Sequence, residues 1–260
     1  MRTMAAPNIL RLMYRNVVVN TDPGSLIILI GLPALYLVFF GFGFGSLTSA
    51  TASSSSPSYL SFLTPGIMSF QSVMAGTVGG SVLWADRRWG MLAQLLVGPF
   101  TRLQYLLGIM FTSVIFGLGG ALVMLGGALL LLGSLPVTWF GGAVMFGSIL
   151  VGSIFFGSLM LLISALVKSN NAYNSIQILV IFVVNFASTV FYPMSSSLPI
   201  EIKALFVANP LTYVADAVRG AYFGTLTATD GYHMLLLCAE TVVVLFLAVR
   251  AYMRSDVSFE

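Results

Sequence analysis

Long apolar stretches alternate with short polar segments along the chain, and six of them are long enough to cross a bilayer as an α-helix. A helix needs roughly 17–25 mostly apolar residues to span the hydrocarbon. The stretches of that length are Ser25–Ser46, Tyr59–Leu83, Leu103–Gly133, Val137–Val167, Tyr173–Tyr192 and Tyr232–Met253. The third and fourth exceed this requirement, so we expect them to tilt or to continue past the membrane. The pattern predicts an all-α integral membrane protein with a six-span domain over residues 25–253.

The segment before the first span, residues 1–24, has the pattern of a helix that lies in the membrane interface. From Met4 to Val19, apolar side chains recur on one face, while Arg11 and Arg15 lie on another. A helix of this kind buries its apolar face among the lipid headgroups. A partly ordered cytosolic arm is the alternative interpretation.

The polar loop between the second and third spans also contains a helical pattern. Trp89, Leu92 and Leu96 recur at positions i, i+3 and i+7, and a Gly-Pro pair ends the pattern. We therefore expect a short amphipathic helix over residues 86–97. Its apolar stripe must be buried against lipid headgroups, the ends of the protein's own helices or a soluble partner.

Two shorter helices are predicted between the fifth and sixth spans. Proline is favoured in the first turn of a helix, which places one start near Pro199 and the other at Pro210, with Asn209 as the cap. Neither helix is long enough to span, so we expect both to dip into the outer leaflet and return, packed against protein. The residues expected to define this external region, 199–220, are Asn209, Pro210, Tyr213, Asp216 and Arg219.

The composition excludes a soluble fold and the charges predict the orientation. Hydrophobic residues make up 58% of the chain and charged residues 7%, against roughly 25% charged residues in soluble domains. Lys and Arg collect on the cytosolic side of membrane proteins. With a cytosolic N-terminus, two of them, Lys203 and Arg219, lie outside. The nine that lie inside are Arg2, Arg11, Arg15, Arg87, Arg88, Arg102, Lys168, Arg250 and Arg254. We expect a cell-membrane protein whose two termini, including the tail 254–260, are cytosolic.

Two pairs of glycines have the four-residue spacing that lets membrane helices approach closely. Gly41 and Gly45 lie in the first span, and Gly76 and Gly80 lie in the second. For the first pair, contact between two copies of the chain and packing within one copy are equally open.

Polar side chains inside the spans are candidates for a specific role. Gln71, Asn185 and Ser188 lie in the second and fifth spans, where they either bond a neighbouring helix or contact a substrate. Glu240 is the one formal charge well inside a span, about 4 Å from its centre. An intramembrane carboxyl is a functional-site hypothesis by default, although we favour a structural role within the helix packing.

Several kinds of chemistry are excluded or not expected. The single cysteine, Cys238, leaves no disulfide and no thiolate metal cluster, and we expect no bound metal. No Gly-x-x-x-x-Gly-Lys-Ser/Thr phosphate loop occurs in the 260 residues, so this chain does not hold ATP in the usual way. The basic residues are explained by membrane topology, and we expect no nucleic-acid partner.

Three segments, taken in order, resemble the type 2 permeases of ATP-binding-cassette (ABC) transporters, a group that includes drug-resistance, nodulation and polysaccharide exporters. They are Phe62–Gly66 (FLTPG), Asp86–Pro99 (DRRWGMLAQLLVGP) and Asn209–Gly220 (NPLTYVADAVRG). With the spans around these segments, the resemblance extends over nearly the whole chain. The resemblance implies six spans per subunit, a second permease copy or close paralogue, and two cytosolic ABC ATPase subunits. ATP and Mg would bind to those ATPases, and this chain would not itself be an enzyme.

The resemblance also implies roles for individual residues. The loop matching Asp86–Pro99 would be the coupling helix, seated in a groove of the ATPase. Its contact residues would be Asp86, Arg87, Arg88, Trp89, Gly90, Leu92, Leu95, Leu96 and Pro99. Many relatives have an acidic residue in place of Ala93 and Ser or Thr in place of Gly98, so the contact chemistry differs in detail.

By the same resemblance, the second and fifth spans border the translocation path. The residues assigned to that path are Gln71, Phe182, Asn185, Phe186, Ser188 and Phe191. The expected function is ATP-driven export of an amphipathic drug-like or lipid-like molecule from the cytosol or inner leaflet. Export of a lipid-linked saccharide or polysaccharide is the alternative within the class. A channel or ion-coupled transporter that acts without an ATPase is the alternative from another class.

Overall fold

The computed structural model describes residues 5–49, 58–195 and 198–255, and within these ranges every regular element is helical. Arg2 and residues 256–260 of the predicted tail lie outside the described ranges. The helices are α1 (Ala5–Val19), α2 (Pro23–Leu26), a π-helical stretch (Ile27–Gly31), α3 (Leu32–Ser49), α4 (Tyr59–Arg88), α5 (Met91–Val97), α6 (Arg102–Leu132), α7 (Trp139–Leu166), α8 (Asn170–Phe186), α9 (Ile200–Val207), α10 (Pro210–Phe223) and α11 (Ala228–Arg254).

Four helical stretches among the described residues are long and apolar enough to cross a membrane. They are Pro23–Gly45, Arg102–Leu132, Trp139–Leu166 and Ala228–Arg254. These four correspond to the first, third, fourth and sixth predicted spans, and they confirm an all-α, multi-pass membrane protein. The second and fifth predicted spans are helical as well. However, α4 is less apolar than the four helical stretches, and α8 is shorter than they are.

The long helix α4 forms the centre of the molecule. Every residue from Leu63 to Gly76 is buried, including Gln71 and two serines. A Cβ atom built at Gly76 would lie 2.6 Å from the backbone oxygen of Phe156, so α4 and α7 pack with almost no space between them. Because protein surrounds α4, its surface does not have to match lipid, and it carries more polar residues than the outer helices.

The helix α8 is shorter than predicted. It ends at Phe186, so the prediction of a helix reaching Tyr192 is wrong. The Ser188 hydroxyl donates to the Asn185 carbonyl oxygen at 2.6 Å and accepts from the Val190 N–H at 3.3 Å. Local side-chain bonds of this kind compete with the continuation of a helix. The chain after Phe186 therefore folds into buried turns instead of a last helical turn.

The long helices α3, α4, α6, α7, α8 and α11 alternate in direction between two ends of the bundle. We name each end of the bundle by the short helix that lies there, α5 or α10. At the α5 end, Arg87 in the last turn of α4 contacts the last turn of α7. At the α10 end, Tyr59 in the first turn of α4 donates to the Phe191 carbonyl oxygen at 2.7 Å.

The amphipathic pattern before the first span is confirmed as α1, which lies against α6 at the α5 end. Leu12 is buried, and a Cβ atom built at Gly108 of α6 would lie 2.9 Å from its Cβ. Leu10, Tyr14 and Val18 are exposed on the outer side. The helix is therefore fixed to protein on one face and presents apolar side chains on the other.

Candidate functional site

The loop between α4 and α6 contains a turn that the sequence pattern does not reveal. Gly90 has φ of 68°, in the left-handed region that favours glycine. Asp86, Arg87 and Arg88 belong to the end of α4, and the short helix begins only at Met91. The prediction of one helix over residues 86–97 is therefore wrong at its N-terminal end. The glycine turns the chain so that α5 projects as a separate element.

The two faces of α5 have different surroundings. Leu92 is buried at 1% exposure, and Leu95 and Leu96 pack partly against the core. Trp89 and Val97 are 74% and 91% exposed. The predicted stripe of Trp89, Leu92 and Leu96 is thus divided, with the leucines facing inward and the tryptophan facing outward.

The outward face of α5 includes residues that sequence reasoning missed. Met91, Gln94 and Val97 recur every three residues and are all exposed, next to Trp89. Arg88 stacks on Trp89, with its guanidinium carbon 5.2 Å from the ring centroid. We name Trp89, Met91, Gln94 and Val97 the α5 outer face. The three-residue spacing was visible in the sequence, but the larger leucines on the opposite side dominate the apolar pattern.

A buried carboxylate fixes the base of α5. Asp86 accepts two hydrogen bonds from Arg15 of α1, at 2.5 and 2.6 Å, and one from the Tyr105 hydroxyl of α6 at 2.7 Å. The hydrogen bonds to Asp86 raise the pKa of Arg15, which keeps its positive charge. A two-pronged arginine–carboxylate pair has both strength and fixed geometry. The cluster of Arg15, Asp86 and Tyr105 therefore joins three helices.

Two further arginines donate hydrogen bonds to the C-terminal carbonyl groups of neighbouring helices. Arg87 is 2% exposed and its Nη1 donates to the Ser164 carbonyl oxygen at 2.7 Å, in the last turn of α7. Arg102 donates to the Met253 carbonyl oxygen at 3.0 Å, at the end of α11. The last carbonyls of a helix lack partners within it and carry partial negative charge, which cations stabilise. The C-terminal ends of α7 and α11 are thus tied to the base of α5.

The proline predicted to end the short helix, Pro99, is hydrogen-bonded to α1. The Asn8 side-chain amide donates to the Pro99 carbonyl oxygen at 3.1 Å. Immediately after it, Thr101 and Gln104 form a reciprocal capping box that starts α6. The whole segment between α4 and α6 is therefore anchored at both sides.

At the α10 end, Asn209 joins two helices. Its side-chain oxygen accepts from the Leu211 N–H at 3.0 Å, which confirms the predicted cap, and Pro210 occupies the first turn. Its amide nitrogen donates to the carbonyl oxygens of Val184 and Ala187, both at 2.7 Å, at the end of α8. One side chain therefore starts α10 and terminates α8.

A second ion pair lies inside α10. Arg219 Nη1 is 3.2 Å from Asp216 Oδ1, and Arg219 Nη2 donates to the Thr189 carbonyl oxygen at 2.7 Å. The Thr189 hydroxyl donates to the same carboxylate oxygen at 2.7 Å. Burial lowers the pKa of Arg219 to about 10 and raises the pKa of Asp216. The Arg219 guanidinium also lies 4.1 Å from the ring centroid of Phe62.

Tyr213 is buried on the same helix and donates to the Val207 carbonyl oxygen, which ties α10 to α9. The left-handed Gly224 ends α10, with φ of 68°.

Of the polar residues assigned to the translocation path, Asn185 and Ser188 lie together, whereas Gln71 faces a different helix. Gln71 of α4 faces α6, because a Cβ atom at Gly120 would lie 2.6 Å from its Oε1. Asn185 and Ser188 are buried at the end of α8. Within the described part of the chain, neither amide atom of Gln71 has a hydrogen-bond partner, nor has Oδ1 of Asn185.

The aromatic residues assigned to the path form a continuous series. Phe182 stacks on Phe186 with ring centroids 6.0 Å apart, and Phe186 stacks on Phe191 at 5.3 Å. Phe191 then contacts Phe40 of α3 at 4.9 Å. Phe182 is 51% exposed and Phe191 is 2% exposed. The series therefore runs from the surface of α8 to the inside of the subunit.

Three of the four glycines with close-packing spacing pack within the subunit. A Cβ atom at Gly41 would lie 2.5 Å from the Leu60 side chain, and one at Gly80 would lie 2.8 Å from Met160. Gly76 lies against Phe156 in the same way. A Cβ atom at Gly45 would meet no atom within 4 Å.

Glu240 lies half-exposed on α11. Its Oε2 is buried and has no hydrogen-bond partner in the described ranges. The His233 ring stacks on Tyr213, with centroids 4.9 Å apart. In the described residues there is no group of three His, Cys, Asp or Glu that could hold a metal ion.

Long apolar helices around a central, more polar helix define a multi-pass α-helical membrane protein. The chain matches the family model of the ABC-2 type transporter over residues 9–223, and it belongs to that family. It is therefore a permease subunit of the ABC type. A comparison with curated proteins found no match.

Proposed function

We propose that the chain is the transmembrane subunit of an ATP-driven ABC exporter. Membership of the ABC-2 type transporter family supports this proposal. In the proposed assembly, six spans cross the membrane, and both termini and the α5 end are cytosolic. The alternating direction of the six long helices supports the span count, and the nine basic residues predicted inside support the orientation.

The observation that carries the proposal is the α5 outer face. Trp89 and Val97 are exposed apolar side chains, on a short element whose inner face packs against the core through Leu92. A docking surface combines exposed apolar anchors with a fixed position. We propose that this face seats in a cytosolic ABC ATPase, one ATPase for each of two permease copies. ATP and Mg would bind only on those partners.

The contacts behind α5 supply a route for force. A push on α5 would reach α1 and α6 through Asp86, and α7 through Arg87. Packed and hydrogen-bonded elements move as units because their contacts have discrete arrangements. In this scheme Asp86 and Arg87 are positioning residues, while the α5 outer face makes the contact.

The cargo we propose is an amphipathic drug-like or lipid-like molecule. The stacked series of Phe182, Phe186 and Phe191 supports this choice, since aromatic surface that begins at the lipid-facing side suits an apolar solute. A saccharide cargo would instead favour exposed hydrogen-bonding groups along the path.

The test uses the permease in nanodiscs with its genome-adjacent ATPase. Changing Trp89→Ala together with Val97→Ser should weaken ATPase binding by at least about tenfold and remove stimulated ATP hydrolysis. The matched control is Trp139→Ala, because Trp139 is 99% exposed at the α10 end. Unchanged ATPase affinity and stimulation in the double variant would show that α5 is not the docking element.

A further inference from the structure

A basic cleft lies at the α5 end, between the C-terminal turns of α7 and α11. Its volume is about 610 Å³. The basic residues that line the cleft are Arg87, Lys168, Arg250 and Arg254. The proposed coupling function uses Arg87 but none of the other three.

Three of these cations are exposed and close to one another. Arg250 and Arg254 are four residues apart in α11, so both side chains lie on one face of the helix, and Lys168 follows the end of α7. Across the described ranges the salt bridges are Arg15–Asp86 and Arg219–Asp216, so none of the three is paired with a carboxylate there. Like charges at this spacing destabilise a helix unless an anion lies between them.

The cleft also has an apolar part, which includes two exposed leucines. Leu247 precedes Arg250 by three residues, about 4.5 Å along the helix axis, and it is 44% exposed. Leu166 of α7 is 65% exposed and also lines the cleft. In the topology proposed above, the cations would lie at the level of the headgroups, directly beside leucines at the level of the acyl chains.

We propose that this cleft binds the headgroup of an anionic phospholipid, with the phosphate between Lys168, Arg250 and Arg254. A basic pocket between membrane helices has the chemistry to hold such a headgroup. The exposed leucines favour a lipid over a soluble anion or an acidic protein segment, because neither of those would need apolar surface within the bilayer. The bound lipid would bridge the ends of α7 and α11.

The experiment measures binding of dioleoylphosphatidylglycerol and dioleoylphosphatidylcholine to the purified full chain in mixed micelles, without any ATPase. The site variant is Arg250→Gln with Arg254→Gln. The matched control is Arg11→Gln with Arg88→Gln, which removes the same charge from the same end. We expect the wild type to prefer the anionic lipid, and the site variant to bind it about 30-fold more weakly while the control does not.

Two further measurements distinguish a lipid from a soluble anion as the ligand. Leu166→Ser with Leu247→Ser should weaken binding of the anionic lipid, and inorganic phosphate at millimolar concentration should not displace it. If the site variant does not fold, Lys168→Gln with the same readout replaces it. Equal affinity for the two lipids, equal loss in site and control variants, or displacement by phosphate would overturn the proposal. Because no ATPase is present, these outcomes are independent of the coupling hypothesis.

Discussion

The two ends of the bundle each contain a partly buried arginine–aspartate pair, but the two pairs join different elements. At the α5 end, Arg15 and Asp86 are 71 residues apart in sequence and lie on different helices. At the α10 end, Asp216 and Arg219 are neighbours on one helix turn. The first pair joins α1, α4 and α6, whereas the second fastens α10 to the short turn that contains Thr189.

The difference lies in how the carboxylates are used. Asp86 accepts with both oxygens, Oδ1 and Oδ2, from Arg15. Asp216 uses one oxygen, Oδ1, for the hydrogen bonds from both Thr189 and Arg219. An element that transmits force between helices needs a contact that resists rotation, and a two-pronged pair has that property. The two-pronged pair therefore fixes α1 to α4 more firmly than the single-oxygen contact fixes α10 to its neighbouring turn.

The largest effect is expected from Asp86→Asn. The asparagine has only one acceptor oxygen, and its NH₂ group would face a guanidinium nitrogen, so the two-pronged contact with Arg15 is lost. Breaking a buried pair in this way should cost about 3 kcal/mol of stability. Thermal unfolding in detergent measures the loss, and Asp86→Glu, which keeps the charge, should recover part of it. An unfolding midpoint equal to that of the wild type would contradict the role assigned to this pair.

The caps of the helices were predictable because cap chemistry is local. Asn209 and Pro210 are adjacent to the helix that they start, and Gly224 follows the same helix immediately. The Asp216–Arg219 pair was predictable for the same reason, since residues three apart are neighbours on any helix. These features depend only on spacing along the chain.

The contacts of Asp86 could not be predicted, because periodicity carries no information on which distant helix a residue meets. Arg15 and Tyr105 have no sequence signal that links them to Asp86. The central position of α4 did have a signal: its glycines and its buried Gln71 and serines make it less apolar than its neighbours. The break at Gly90 was hidden because a Gly-Pro pair eight residues later is the stronger helix stop.

Two of the three left-handed glycines among the described residues, Gly90 and Gly224, allow the two ends to be compared with substitutions of equal expected destabilisation. Gly90 and Gly224 both have φ of 68°, and a Cβ atom at either would meet no atom within 4 Å. Changing either to alanine should therefore cost about 1 kcal/mol, from the backbone alone. Only Gly90→Ala should lower stimulated ATP hydrolysis in the reconstituted complex, because Gly90 orients α5. Equal losses of stimulation in both variants would mean that the α5 end has no special part in coupling.

The smallest effect is expected from Asp216→Asn. Asparagine can place its oxygen where Asp216 Oδ1 now accepts from the Thr189 hydroxyl and from Arg219, so both hydrogen bonds survive the change. Burial already raises the pKa of Asp216, which means that its ionised form is not strongly stabilised. Loss of the charge should thus destabilise the protein by less than about 1 kcal/mol, the range of a weak ion pair. The measurement is the same thermal unfolding, run beside Asp86→Asn. If Asp216→Asn lowers the unfolding midpoint as much as Asp86→Asn does, then the number of carboxylate oxygens that accept hydrogen bonds does not distinguish the two ends. The negative charge alone would then determine how much each aspartate stabilises the protein.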